Sequence, residues 1–390
     1  MRVVQANKYH FVKGGAERYY LDVSQRLTER GHEVIPFAMH HRRNLPTPHE
    51  RYFVGEVDYH VRLGPWQKLQ AGARSIYSRE TVRHVDHLVR ELRPQVAHMH
   101  NIYHQISPSL ITALHRRGVP MVHTLHDYKV VCPGYLMMTP EGICECCKGG
   151  RYWNVVRHRC LLNSTAASVV GFLEATVHEW LKTYHKVSLF LCPSRFLLEK
   201  VAEFGLPREK LVHFPYFLPM DQYRPETKPS DYYIYLGRLS REKGIATLLE
   251  AVHLHRGSRM RCRILGEGPL EATLKRRAAE WGLTNVEFSG YLQGEALQDA
   301  IRGAAFTVVP SEWYENLPFA VLESFALGTP VVGANIGGIP EMVLHGETGL
   351  VFESGNAQDL STALAEMEAD PKRMVAMGEA ARALDEERYG

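Results

Sequence analysis

Tyr232-Tyr-Ile-Tyr-Leu-Gly-Arg-Leu-Ser-Arg-Glu-Lys-Gly-Ile-Ala-Thr-Leu-Leu-Glu-Ala-Val-His-Leu-His255 reads as a strand, a loop and a helix. Tyr232–Leu236 is an unbroken run of aromatic and branched side chains, which favours a buried strand. Gly237 and Gly244 bound a short loop that carries Arg238 and Lys243. From Ile245 to His255 the apolar residues fall at helical spacing. A strand feeding a helix through a glycine-bounded loop is the building unit of a parallel α/β sheet.

The same unit recurs on both sides. Downstream, strands are expected at Arg261–Leu265, Val286–Ser289, Phe306–Val309, Pro330–Gly333 and Leu350–Phe352, with helices at Pro269–Trp281, Gly294–Arg302, Leu317–Leu327 and Ala357–Ala369. Upstream, strands are expected at Arg2–Ala6, Glu33–Ala38, Gln95–His98, Pro120–Leu125 and Val187–Cys192, with helices at Ala16–Arg30, Thr81–Leu92 and Pro108–Arg117. The chain has 390 residues, and at ~150 residues per domain that makes two. Between the halves, Pro215 to Pro229 holds four prolines, which break both patterns. The expected organisation is therefore a Rossmann-like domain over 1–215, a linker over 216–230 and a second Rossmann-like domain over 231–390. Two segments exceed the minimal repeat. His40–Arg51 is expected to be a mobile loop, and 129–163 is a Cys-rich insertion. Ligands of such sheets sit beyond the C-terminal strand ends, so the residues to examine follow strands and open helices.

Composition narrows the classes. Hydrophobic residues make up 45% and charged residues 23%, which excludes disordered and fibrous chains. The longest apolar runs, Val187–Pro193 and Phe319–Leu327, are too short to span a bilayer. Met1-Arg-Val-Val-Gln-Ala lacks the features of an export signal, so a cytoplasmic location is expected. The net charge of +3 conceals two opposite halves. Residues 1–200 carry 27 Lys and Arg against 16 Asp and Glu, and residues 201–390 carry 19 against 27. A basic first domain favours an anionic partner, such as a phosphate-bearing substrate or the anionic inner face of the plasma membrane. It carries no nucleic-acid-reading motif, so nucleic acid is not an expected partner.

Three motifs carry chemistry. Gly14-Gly15 follows the first strand and opens the first helix, where a backbone can approach a phosphate closely. Arg238 and Lys243 bracket the Gly237–Gly244 loop at the matching junction of the second domain and are suited to gripping a diphosphate. Glu315-Asn-Leu-Pro-Phe-Ala-Val-Leu-Glu323 follows the strand ending at Val309. With a helix from about Leu317, Glu315 stands at its mouth and Glu323 about two turns along. Carboxylates suit paired sugar hydroxyls, since each accepts several hydrogen bonds.

Together with Gly266-Glu-Gly-Pro, Gly328-Thr-Pro-Val-Val, Gly337-Gly-Ile-Pro-Glu and Gly346-Glu-Thr-Gly-Leu, these motifs resemble, in order, the nucleotide-binding domain of retaining GT-B glycosyltransferases of family 4 (glycosyl transferases group 1). Gly14-Gly15-Ala-Glu and His126-Asp127 extend the resemblance to the first half. It implies the GT-B fold, two Rossmann-like domains facing across a cleft, and transfer of a sugar from a nucleoside-diphosphate sugar to a glycan or lipid-linked acceptor. It implies that Arg238 and Lys243 hold the diphosphate without a catalytic metal. By the same resemblance Glu323 holds ribose, and Glu315 contacts the transferred sugar, joined by the amides of Asn316 and Leu317. Gly14 and Gly15 line the diphosphate, and His126 lies near the reacting centre. Two departures are visible. Pro215-Tyr216-Phe217 stands where the family often has Pro-Asn-Gly, and family members usually continue past the position of Gly390 into a last helix. Alternatives to transfer are a nucleotide-sugar epimerase of similar fold and a non-catalytic nucleotide-sugar-binding scaffold.

Cys132, Cys144, Cys147 and Cys160 have the spacing of a four-thiolate knuckle, with Cys146 left over. A structural zinc is one reading and reduced thiols the other. Cys192 and Cys262 stand singly in apolar runs and read as buried thiols.

Overall fold

A computed structural model describes residues 1–56, 65–226 and 230–390; for residues 65–69 it fixes the backbone alone. The chain divides into two compact units, Met1–Phe214 and Pro215–Gly390. Residues 227–229 of the expected linker lie outside the described residues. Residues before them pack onto the second unit: Tyr216 stacks on Phe319 at 5.2 Å, and the Leu218 amide donates to the Tyr389 carbonyl at 2.9 Å.

The first unit contains β1 (Arg2–Ala6), β2 (Glu33–Phe37), β3 (Val96–Met99), β4 (Met121–Thr124), the short antiparallel hairpin β5 (Met138–Thr139) and β6 (Gly142–Ile143), then β7 (Leu189–Cys192) and β8 (Leu211–His213). Six of these form one parallel sheet in the order β2-β1-β3-β4-β7-β8. The second unit contains β9 (Tyr232–Leu236), β10 (Arg261–Leu265), β11 (Val286–Gly290), β12 (Thr307–Val309), β13 (Val331–Ala334) and β14 (Gly349–Phe352). They form a second parallel sheet, in the order β11-β10-β9-β12-β13-β14. Helices flank both sheets, and this is the α/β architecture expected from the alternation of apolar runs.

Strand order locates the ligand ends. In the first sheet the chain leaves β1 toward β2 and later returns to the other side as β3. In the second it leaves β9 toward β10 and returns as β12. Each reversal opens a crevice beyond the carboxyl ends of two neighbouring strands. The crevice lies after Ala6 and Met99 in one unit and after Leu236 and Val309 in the other.

Several elements differ from expectation for local reasons. The helix expected at Leu317 begins at Phe319 and runs to Ala326, because Pro318 caps it with extended backbone (φ −70°, ψ 124°). Glu323 is thus the fifth residue of the helix rather than two turns along. Helices also form at Thr165–Trp180 and Arg195–Glu203, each capped by a serine whose hydroxyl accepts from the amide three residues on. The helix Pro371–Arg388 buries Met377, Gly378, Ala381 and Leu384, a stripe with two small residues. Gly378 allows that helix to touch the chain at Gly328, whose carbonyl oxygen would stand 2.1 Å from any added Cβ. His40–Arg51 is anchored by the His40 amide on the Val54 carbonyl (2.8 Å) and the Leu45 amide on the His10 carbonyl (2.9 Å). Among the described residues, no helix is long and apolar enough to cross a membrane.

Candidate active site

In the second unit, the crevice after β9 and β12 gathers most of the residues that the sequence singles out. Glycines make the gathering possible. A Cβ at Gly244 would stand 1.7 Å from the Pro310 carbonyl oxygen, and one at Gly337 would stand 2.3 and 2.5 Å from the backbone oxygen and nitrogen of Glu315. Both also have φ near +60°, which disfavours any larger residue. The loop after β9 is thereby pressed against the segment after β12. The Gly338 amide donates to the Glu315 carbonyl at 2.8 Å and fixes that backbone.

Lys243 and Glu315 meet there. Lys243 Nζ donates to Glu315 Oε1 at 2.6 Å, and Ser311 Oγ donates to the same oxygen at 2.7 Å. The Lys243 ammonium also lies 5.1 Å from the Trp313 ring centroid. Glu315 is buried, with its side chain 6% exposed, while that of Lys243 is 26% exposed. Arg238 is exposed, and its guanidinium makes no ion pair or hydrogen bond among the described residues. Glu323 is buried in the helix that follows.

Asn316 adds a feature that the sequence reading did not contain. Its side chain is buried, yet neither Oδ1 nor Nδ2 has a hydrogen-bond partner. Such an orphaned amide costs about 1–3 kcal/mol unless something else bonds it. The backbone amides of Asn316 and Leu317 also donate to no group among the described residues. They precede the eight-residue helix Phe319–Ala326. Unpaired amides beside a helix N-terminus favour negative charge. A fixed ammonium, an exposed guanidinium, two buried carboxylates and unpaired amides can hold a phosphorylated, hydroxyl-rich ligand.

In the first unit, the crevice after β1 and β3 is built from histidines. Gln5 Nε2 donates to His98 Nδ1 (3.2 Å), and His98 Nε2 meets Thr124 Oγ1 (2.7 Å). His100 Nε2 meets Gln5 Oε1 (3.0 Å), and His100 Nδ1 meets His126 Nε2 (3.0 Å). Burial holds His98 down to about 3 and His123 down to about 4, and it lowers His100 and His126 well below the usual imidazole value. The rings are therefore neutral at pH 7, and the chain of bonds fixes their tautomers. Gln5 Oε1 accepts from His100 Nε2–H, so His100 Nδ1 accepts from His126 Nε2–H and His126 Nδ1 is an acceptor. His126 is thus wired through His100 to Gln5 in the middle of the sheet. The sequence marks His126 through its motif, whereas Gln5 and His98 show only as strand residues and His100 only as a residue just past a strand.

Gly14 caps the helix Gly15–Glu29. Its backbone is extended, and an added Cβ would meet only Glu17 Oε2 at an ordinary 3.6 Å. Packing among the described residues does not demand glycine there. Lys8, just past β1, is a cation that the sequence reading missed. Its charge lowers Glu17 and Asp127, which burial raises, and adds to the depression of His126. The structure groups His126 with the Lys8 region in one unit, and Arg238, Lys243, Glu315, Asn316 and Leu317 with the Glu323 helix in the other. The four cysteines belong to the insertion of the first unit and line a cavity of their own there.

Two family models divide the chain between them. Residues 13–221 match the model described as Glycosyltransferase Family 4, and residues 221–384 match Glycosyl transferases group 1. The chain belongs to glycosyltransferase family 4. This glycosyltransferase is 25% identical over 402 residues to a D-inositol 3-phosphate glycosyltransferase of Thermobispora bispora, a match spanning 93% of this chain and 84% of that protein. It is 35% identical over 152 residues to the sulfoquinovosyl transferase SQD2 of Arabidopsis thaliana, but that match spans only 38% of this chain and 29% of the relative. Its fold resembles that of Anabaena Alr3699/HepE, solved in complex with UDP and glucose (TM-score 0.69, 15% identity, covering all of this chain and 95% of the other). The fold is GT-B, and the enzyme is a glycosyltransferase of that type.

Proposed function

We propose that this glycosyltransferase moves a sugar, with retention of configuration, from a nucleoside-diphosphate sugar to a glycan or lipid-linked acceptor of the cell envelope. The observation that carries the reading is the crevice after β9 and β12. Lys243 is held at 2.6 Å from buried Glu315 there, beside the unpartnered amide of Asn316.

In this reading Arg238 and Lys243 grip the diphosphate and stabilise the charge that builds on it as the sugar leaves. These fixed cations take the part that a divalent metal plays in other sugar-transfer sites. Glu323 accepts from the ribose hydroxyls. Glu315 and the amides at Asn316 and Leu317 bond the transferred sugar and donor oxygens. Gly14 and Gly15 leave room for the phosphates at the mouth of the first helix. The bond between C1 and the phosphate oxygen breaks, and its electron pair leaves on the diphosphate. The acceptor hydroxyl forms the new bond on the same face, and its proton passes to the departing phosphate oxygen. His126, neutral and held in one tautomer by His100, bonds a sugar hydroxyl and takes no part as an acid.

The lipid-linked acceptor is supported by the basic first half, since 27 cations against 16 anions suit an anionic surface. Liposome binding should rise with anionic lipid content and fall with salt. Equal partition onto neutral and anionic vesicles would remove the membrane from the reading. The transfer step is tested by proton NMR of the product in the presence of a chelator. The reading expects undiminished turnover and an anomeric configuration equal to that of the donor. Inversion, or activity that vanishes with chelator and returns with magnesium, would overturn it.

A further inference from the structure

Cys132, Cys144, Cys147 and Cys160 come from four separate points of the insertion. They line one small cavity of about 10 Å³, along with Met137 and His158, room for about one small guest. Local structure brings them there. The hairpin β5–β6 returns the chain so that the Cys144 amide donates to the Met137 carbonyl at 2.8 Å. Cys147 opens a tight turn that ends in Gly149 and Gly150, both at positive φ. The Cys160 amide closes on the Val155 carbonyl at 3.1 Å. Gly134 leaves the space into which Cys160 comes, since a Cβ there would stand 2.9 Å from the Cys160 Cβ and 3.9 Å from Cys132 Sγ. All four cysteines are free thiols, and the fifth, Cys146, is exposed and does not line the cavity.

We propose that the insertion binds one zinc ion through Cys132, Cys144, Cys147 and Cys160, as a structural site. Four sulfurs around one closed space are the donor set that zinc takes in tetrahedral sites, and four thiolates leave no position open for water or substrate. Among the described residues, no group of three or more His, Cys, Asp or Glu side chains is already arranged to hold a metal. Loading therefore requires the sulfurs to give up their protons and turn toward the ion.

The site serves the fold of the insertion and not the transfer step, so its test is independent of the sugar-transfer reading. The full chain, purified under reductant without chelator, should contain about one zinc per chain by elemental analysis. The Cys146→Ser variant should keep it and Cys147→Ser should lose it. Cobalt in place of zinc should give the strong visible bands of a tetrahedral tetrathiolate ion. A chelator strong enough to remove the ion should speed hydrogen exchange across 129–163 and leave the second unit unchanged. Should Cys147→Ser fail to fold, the metal content and cobalt spectrum of the unaltered chain decide the matter. The proposal is overturned if the unaltered chain holds no stoichiometric zinc, takes none up on titration, and has all four thiols open to a thiol reagent in the folded state.

Discussion

Replacing Lys243 by Ala separates two consequences of one contact. The ammonium sits 2.6 Å from Glu315 Oε1, and among the described residues the one other donor to that oxygen is Ser311 Oγ at 2.7 Å. Loss of Lys243 leaves a buried carboxylate with one neutral donor. A fully buried pair broken from one side costs about 3–5 kcal/mol. Lys243 is a quarter exposed, so water replaces part of the lost interaction, and about 1.5–3 kcal/mol is the expected loss, the range of a hydrogen bond to a charged group. That is well below the ~5–15 kcal/mol that holds a domain together, and the variant should fold. Catalysis should suffer far more, because removing one preorganised donor of transition-state charge costs roughly 100- to 1,000-fold in turnover. Urea unfolding gives the first quantity, and continuous assay of released nucleoside diphosphate gives the second. Stability lower by the expected amount, with turnover within about threefold of the unaltered enzyme, would show that the pair only staples two loops, and the reasoning would fail.

Glu323→Gln should weaken binding of the correct nucleoside diphosphate by on the order of 10- to 100-fold, the scale of a charge-assisted hydrogen bond; unchanged affinity by calorimetry removes Glu323 from the ribose. Gly337→Ala should destabilise the second unit and abolish turnover, because its Cβ falls 2.3 Å from the Glu315 carbonyl oxygen; an active, stable Gly337→Ala enzyme would mean that this backbone contact does not position Glu315. The first unit should lose stability on acidification. His10, His98, His104 and His123 are held down to about 4, 3, 4 and 4 by burial, and His100 and His126 are lowered too. Above the unfolded value of about 6.5 neither state is protonated. Below it the unfolded chain takes up protons that the folded one cannot, and each ring then costs up to about 1.4 kcal/mol per pH unit. The raised carboxyls of Glu17, Asp22 and Asp127 act in the opposite sense, but they are fewer. The urea midpoint should therefore fall steeply below about pH 6, and a flat profile from pH 7 to 5 would contradict the buried neutral histidines.

Much of this was legible in the residues. Apolar runs such as Tyr232–Leu236 fall where the strands form, because burial on both faces leaves a continuous signal. The Gly237–Gly244 loop and the Glu315 motif were visible because glycine, lysine and glutamate stood at strand ends. Less was legible where tertiary contact sets the outcome. The three-residue edge strand Leu211–His213 carries too few side chains to show a pattern. The helix Thr165–Trp180 is apolar on most of its faces, and its buried stripe includes Ser168, Gly171, Glu174 and His178. Long-range pairing hid the rest of the candidate sites. Nothing near Gln5 in sequence announces that it bonds His98 and His100, and nothing near Asn316 announces that its side chain is buried without a partner. The shift of the helix start from Leu317 to Phe319 turned on the ψ of Pro318, which the sequence constrains only weakly.

The central claim is transfer of a sugar out of a nucleotide sugar. Its most direct test incubates the purified chain with a panel of nucleotide sugars and follows both halves of each donor by mass spectrometry. The account predicts release of nucleoside diphosphate from at least one donor, with slow formation of free sugar when no acceptor is present, and loss of that release in Lys243→Ala. A sugar converted to its epimer while still attached to the nucleotide, or no donor altered or bound at all, would contradict it.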